Sequence, residues 1–87
     1  MTRTFILSMA LATAPFAAMA LPVVGDIVGT SPEAATAALK DKGCEVKEFE
    51  PEDGKIEAKC TDTATGDEVE VYIDPKTGAV AEVKMED

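Results

Sequence analysis

Histidine, asparagine, glutamine and tryptophan are absent from all 87 residues. Without an imidazole, the chain can build neither a Ser-His-Asp or Cys-His couple nor a His-ligated zinc, and it has no side-chain amide to donate to an oxyanion. Positive charge is scarce too: beyond residue 20, seven Lys stand against 17 Asp and Glu, a net charge of −10, and the single Arg, Arg3, lies before that point. Such a body repels nucleic-acid backbones and anionic lipid surfaces. No nucleic-acid partner and no cofactor are expected, and enzyme is the disfavoured class.

The first 20 residues read as a secretory signal peptide. Arg3 marks a short basic start, Phe5 to Ala14 are apolar, and Ala18-Met19-Ala20 fits small-residue cleavage after Ala20. An uncleaved anchor is the competing reading, since no charge falls between Phe5 and Gly25, but Pro15, Pro22 and the run of small Ala residues weigh against it. Residues 21–87 would then be one small domain in the periplasm or outside the cell, without membrane attachment. Export gives Cys44 and Cys60, the only two cysteines, an oxidising compartment in which to pair.

Leu21 to Thr30 is apolar with two Gly, either a short first strand or a loop laid across the core. Residues 32–42 are predicted to be helical. Ser31 suits the N-cap, Pro32 the first helical position and Glu33 the positive end, while Lys40 and Lys42 suit the negative end and Gly43 the stop. Ala35, Ala38 and Leu39 share a face, so the helix can lie close on a sheet. After Gly43 the hydrophobic period changes from 3.6 to 2, with alternating segments at 44–49, 55–61, 68–73 and 79–85. The expected fold is α+β, one helix on an antiparallel meander of three to four strands.

Glu50-Pro51-Glu52-Asp53-Gly54 and Asp74-Pro75-Lys76-Thr77-Gly78 both run acidic, Pro, x, x, Gly, and both are read as five-residue hairpin loops. In the first hairpin that length sets Phe49 opposite Lys55, Lys47 opposite Glu57, Glu45 opposite Lys59, Val46 opposite Ala58 and Cys44 opposite Cys60. In the second it sets Ile73 opposite Ala79, Val71 opposite Ala81, Val69 opposite Val83, Glu68 opposite Lys84 and Tyr72 opposite Val80, with one unfavourable pair, Glu70 and Glu82. Asp62 to Gly66 repeats the D-x-x-T-G text of Asp74 to Gly78, but a five-residue loop there would pair Ala58 with Glu70, so a different length or a bulge is expected.

One face then collects Cys44, Val46, Ile56, Ala58, Val69, Val71, Ile73, Ala81, Val83 and Met85 as the core under Leu39. The other is charged, apart from Phe49, Tyr72 and Val80, which form a candidate partner surface. A core this thin needs support, and a disulfide closing a loop of this size contributes roughly 3 kcal/mol. The acidic turns do not make calcium loops: counted from Asp62, the third and fifth positions are Ala64 and Gly66, and from Asp74 they are Lys76 and Gly78. Those Asp residues are read as turn caps. Glu70 and Glu82 have no cleft around them, and Ser31 and Thr77 have no base partner, so no catalytic constellation is found.

Gly66 to Val80, with a strand ending in the turn Asp74-Pro75-Lys76-Thr77-Gly78, resembles the closing signature of PepSY domains. The Ser31-Pro32-Glu33 helix start, the Leu39 to Gly43 helix end and the strand Cys44 to Phe49 fit as well, extending the resemblance over about residues 31–85. In that family, Asp74, Pro75, Thr77 and Gly78 are the turn motif. The resemblance implies an exported, non-enzymatic binding module of the kind found in propeptides of secreted metallopeptidases, inhibiting or modulating a peptidase or other envelope protein. The cysteine pair is not part of the family's signature, and no peptidase domain accompanies the motif. The alternative function is an acidic cation-binding or structural envelope protein without a protease partner.

Overall fold

The computed structural model describes residues 21–86. The expected signal peptide and its cleavage point after Ala20 lie outside the described residues. Helix α1 (Pro32–Asp41) is followed by strands β1 (Cys44–Glu52), β2 (Lys55–Asp62), β3 (Glu68–Ile73) and β4 (Val80–Glu86). The strands form one antiparallel sheet in the order β1-β2-β3-β4, the expected α+β meander.

The capping residues set the limits of α1. Extended Ser31 accepts the Ala34 N–H on its Oγ at 3.2 Å, Pro32 opens the helix, and Glu33 and Lys40 match the dipole at the two ends. The helix closes with the Lys42 N–H donating to the Leu39 carbonyl at 3.0 Å and the Gly43 N–H donating to the Lys40 carbonyl at 2.9 Å. The buried helix residues are Ala35 and Leu39, and the small side chain of the former brings α1 close onto the sheet at β1.

The first hairpin departs from the expected register. β1 runs on through Pro51 to Glu52, which pairs directly with Lys55. The connection is the two-residue turn Asp53-Gly54, with φ of 51° and 79°. Two consecutive positive φ values define the turn whose twist best matches a hairpin, and Asp-Gly is its favoured sequence. Pro51 is tolerated because β1 is an edge strand. A bulge at Lys47 then separates the pair Val46–Cys60 from the pair Glu48–Lys59. Phe49 therefore faces Ala58 and not Lys55, and Cys44 faces Asp62 and not Cys60. The cysteines are still joined, diagonally, with their Cα atoms 5.3 Å apart.

The two D-x-x-T-G segments fold into the same loop. In each, the Gly N–H donates to the Asp carbonyl (Gly66 to Asp62 at 2.7 Å, Gly78 to Asp74 at 2.8 Å). In each, the Asp carboxylate accepts the N–H two residues on, from Ala64 at 2.9 Å and from Lys76 at 2.8 Å. Thr65 and Thr77 accept on Oγ1 from Asp67 and Ala79, both at 3.2 Å. The Asp N–H finally donates to the carbonyl of residue 67 or 79, so four residues, not five, lie between the closing pair. This shift sets Ala58 opposite Val71, with no bulge between β2 and β3.

β4 has its own bulge, around Ala81, between the pairs Ile73–Val80 and Tyr72–Glu82. Together with the tighter Asp74 loop it undoes the expected second-hairpin register. Glu70 meets Lys84 in place of Glu82, Val71 meets Val83 in place of Ala81, and Val80 leaves Tyr72 for the buried side. The core accordingly consists of Val28, Ala35, Leu39, Cys44, Ala58, Cys60, Val69, Val71, Ile73 and Val80. Met85, expected in it, is 52% exposed.

Residues 21–30 form the loop, not the strand, of the two readings. The segment crosses the start of β4, with Val80 donating to Asp26 and Gly25 donating to Val80 at 2.8 and 2.9 Å. One isolated bridge joins Ile27 to Ala79, and Val28 reaches the core.

Candidate functional site

The two sheet faces offer two kinds of surface. On the helix side, an apolar groove of about 250 Å³ opens between the start of α1 and the sheet, lined by Pro32, Ala35, Phe49, Ile56, Ile73 and Pro75, with the Gly29–Ser31 backbone at its rim. Each wall has a local cause. The bulge at Lys47 turns Phe49 toward the core, the Asp74 loop presents Pro75, and Pro32 stands where the N-cap starts the helix.

The turn motif builds one end of this groove. Asp74 and Thr77 hold the loop by the carboxylate and hydroxyl bonds described above, and Pro75 supplies an apolar wall. Gly78, at a φ of 77°, meets the chain at Gly29: a Cβ on Gly78 would lie 2.7 Å from the Gly29 carbonyl carbon. The motif thus clamps the segment before α1 against the last turn of the sheet. This contact is invisible in the local turn chemistry that singled out the motif.

The expected partner surface of Phe49, Tyr72 and Val80 does not exist as a unit. Phe49 packs half-buried on the core side, Val80 is inside the core, and Tyr72 alone remains on the open face. The causes are the bulge at Lys47, which turns Phe49 to the side of Val46, and the tighter Asp74 loop with the bulge at Ala81, which together put Val80 on the side of Val83. Burial of a phenyl ring and a valine is the gain that favours them. The Asp-Gly dipeptide at 53–54 was the available signal for the first shift, since a two-residue turn there requires a compensating extra residue to keep Val46 and Phe49 on the same side.

The open face is charged and laced across strands. Lys47 donates to Glu68, and Lys59 lies 3.5 Å from Glu48 and 3.2 Å from Glu50. The Tyr72 hydroxyl donates to Glu70 at 3.2 Å, and the Lys84 ammonium sits 5.7 Å from the Tyr72 ring centre. Partial desolvation, the Glu70 hydrogen bond and the nearby Glu57 charge push the Tyr72 phenol up to about 12. The hydrogen bond to Glu50 holds the Lys59 ammonium above its ordinary value.

Glu57 is the exception among these charges. It lies on central strand β2, between Glu50 and Tyr72 in the register, and is only 5% exposed. A single layer of neighbouring side chains shields it, since α1 covers the opposite face. Desolvation, and then the charge of Glu70, push its carboxyl above the ordinary range against the opposing effect of Lys59. Oxygens of Glu50, Glu52 and Glu57 come within 4.8 Å of one another. The alternation of two strands hides this meeting until the bulge is known.

Comparison with known proteins adds one match. A family model described as the peptidase propeptide and YPEB domain covers residues 3–84. No curated protein and no solved structure matches the chain.

Proposed function

The chain belongs to the PepSY family, and on that premise we propose that it is an exported binding module without chemistry of its own, restraining a peptidase or another envelope protein. The family match is the observation that carries this reading. The groove between α1 and the sheet supplies a surface of suitable character, because a concave apolar site can take one or two apolar side chains of a partner. The absence of His, Asn and Gln, with both cysteines tied in a disulfide, supports a role in binding over one in catalysis. Signal-peptide cleavage after Ala20 would deliver residues 21–87 to the compartment where exported peptidases work.

The test is the rate of protein hydrolysis by exported peptidases of the host, measured with increasing oxidised protein spanning residues 21–87. A saturable change in rate is expected for at least one peptidase. Thr30→Trp, on the exposed rim of the groove, should abolish that change while circular dichroism stays unaltered; Thr36→Ala, on an exposed helix position, should leave it intact. No effect on any exported peptidase would remove the peptidase as partner, and an undiminished effect of Thr30→Trp would remove the groove.

A further inference from the structure

We infer that Glu50, Glu52 and Glu57 form a site for a calcium-class divalent cation on the open face of the sheet. The inference is independent of the peptidase reading. Calcium holds oxygen ligands at roughly 2.3–2.6 Å, so two oxygens on one ion are at most about 5 Å apart. The three carboxylates already satisfy that limit, with oxygens all within 4.8 Å. Glu50 and Glu57 are brought together as directly paired residues, and Glu52 points to the same face two residues along β1.

Glu57 supplies the second, separate reason. A carboxylate at 5% exposure is costly to leave without a partner. Among the described residues its side chain has no hydrogen bond and no ion pair, and it faces two further carboxylates. Lys59 does not fill the role: its ammonium lies 3.2 Å from Glu50 Oε2 and 3.5 Å from Glu48 Oε2, and it makes no ion pair with Glu57 among the described residues. A cation between the three groups would compensate the buried charge and the repulsion together.

The donor set selects the ion. With no His in the chain and both thiols oxidised, the site offers only the hard oxygen ligands of its three carboxylates, which disfavours zinc and copper. Magnesium demands near-ideal octahedral geometry and usually takes one or two carboxylates, whereas calcium accepts several in a flexible arrangement completed by water. Exposed Glu52 leaves the solvent side open for those waters. The expected affinity is that of extracellular modules, roughly 10⁻⁴ to 10⁻³ M.

Tyr72, the only tyrosine in a chain without tryptophan, sits directly opposite Glu57 and can report occupancy. Terbium added to oxidised protein should show saturable luminescence on tyrosine excitation, displaced by calcium. Glu57→Gln and Glu50→Gln should each weaken terbium and calcium binding by about tenfold or more while circular dichroism stays unaltered. Glu33→Gln, on an exposed helix position away from the site, makes the same change in net charge and should leave the affinity within about twofold. The site is overturned if wild-type protein gives no saturable signal, if both site variants bind as tightly as wild type, or if Glu33→Gln weakens binding as much as Glu57→Gln, which would mark a diffuse ion atmosphere.

Discussion

On the helix side of the sheet, Ala58, Cys60, Val69 and Val71 are completely buried, while on the other side the same two strands carry Glu57, Lys59, Glu70 and Tyr72. The first face is held by α1, the disulfide and the crossing segment; the second has only its own side chains for cover. Yet the two are not independent. The bulge that brings Phe49 to the core also turns Glu48, Glu50 and Glu52 outward in one stripe, and the bulge that buries Val80 sets Glu70 opposite Lys84. Apolar burial chose the register, and the charge pattern of the open face followed from it. A small domain with a thin core can therefore acquire a concentrated electrostatic feature as a consequence of packing on the far side.

The largest expected effect breaks the covered face. Cys44→Ala with Cys60→Ala, or reduction of the disulfide, should cost roughly 3 kcal/mol, because the link closes a loop of 16 residues and both sulfurs lie in the core. Denaturant melts of oxidised and reduced protein check this, and coincident melts would contradict it.

The twin loops give a comparison within one molecule. Gly66 and Gly78 share a loop conformation with φ of 82° and 77°, but a Cβ at 66 meets nothing within 4 Å, whereas one at 78 strikes the Gly29 backbone. Gly66→Ala should cost about 1 kcal/mol from the left-handed conformation alone, and Gly78→Ala about 2 kcal/mol or more. Equal losses in thermal melts would show that the clamp on Gly29 contributes nothing.

The open face is sharpened by pH. The Glu57 carboxyl lies above its ordinary value of 4.5 in the fold, so the folded state holds a proton that the unfolded state has released. Stability contributed by this group consequently falls as pH rises from the ordinary value through the raised one, and the whole penalty is present above both. In chelated buffer, Glu57→Gln should be more stable than wild type at neutral pH, with the gain disappearing below about pH 4. A gap of the opposite sign at neutral pH would contradict the account, and saturating calcium should reverse it.

Tyr72 provides the smallest effect. Its absorbance should titrate near 12 and not at the ordinary 10.0. The neutral phenol is favoured in the fold, so stability should decline as pH rises between those values, and Tyr72→Phe should remove the decline. A tyrosinate midpoint near the ordinary value would show that Glu70 and Glu57 do not act on it.

Local chemistry made much of this fold legible. Ser31, Pro32 and Gly43 bracket α1, and the alternation of β2 and β3 assigned Ile56, Ala58, Val69, Val71 and Ile73 to the helix side, where they lie. The repeated D-x-x-T-G text marked two related loops: the one at Asp74 closes one residue tighter than expected, and the one at Asp62 has the different length that the pairing of Ala58 called for. The groove was less legible, because Pro32, Phe49 and Pro75 are far apart in the chain and only Phe49 had been singled out as apolar surface.

By itself the sequence determined the family, helix α1 with its caps, strands β1 to β4, the strong negative charge and the pairing of the only two cysteines. Each of these rests on composition or on interactions within a few residues. The tertiary structure alone decided the bulges at Lys47 and Ala81, and through them the burial of Val80, the turning of Phe49 into the groove and the meeting of Glu50, Glu52 and Glu57. A bulge changes no local preference by much. It is selected because one extra residue lets distant apolar side chains share a core, and that gain exists only once helix, sheet and crossing segment are assembled.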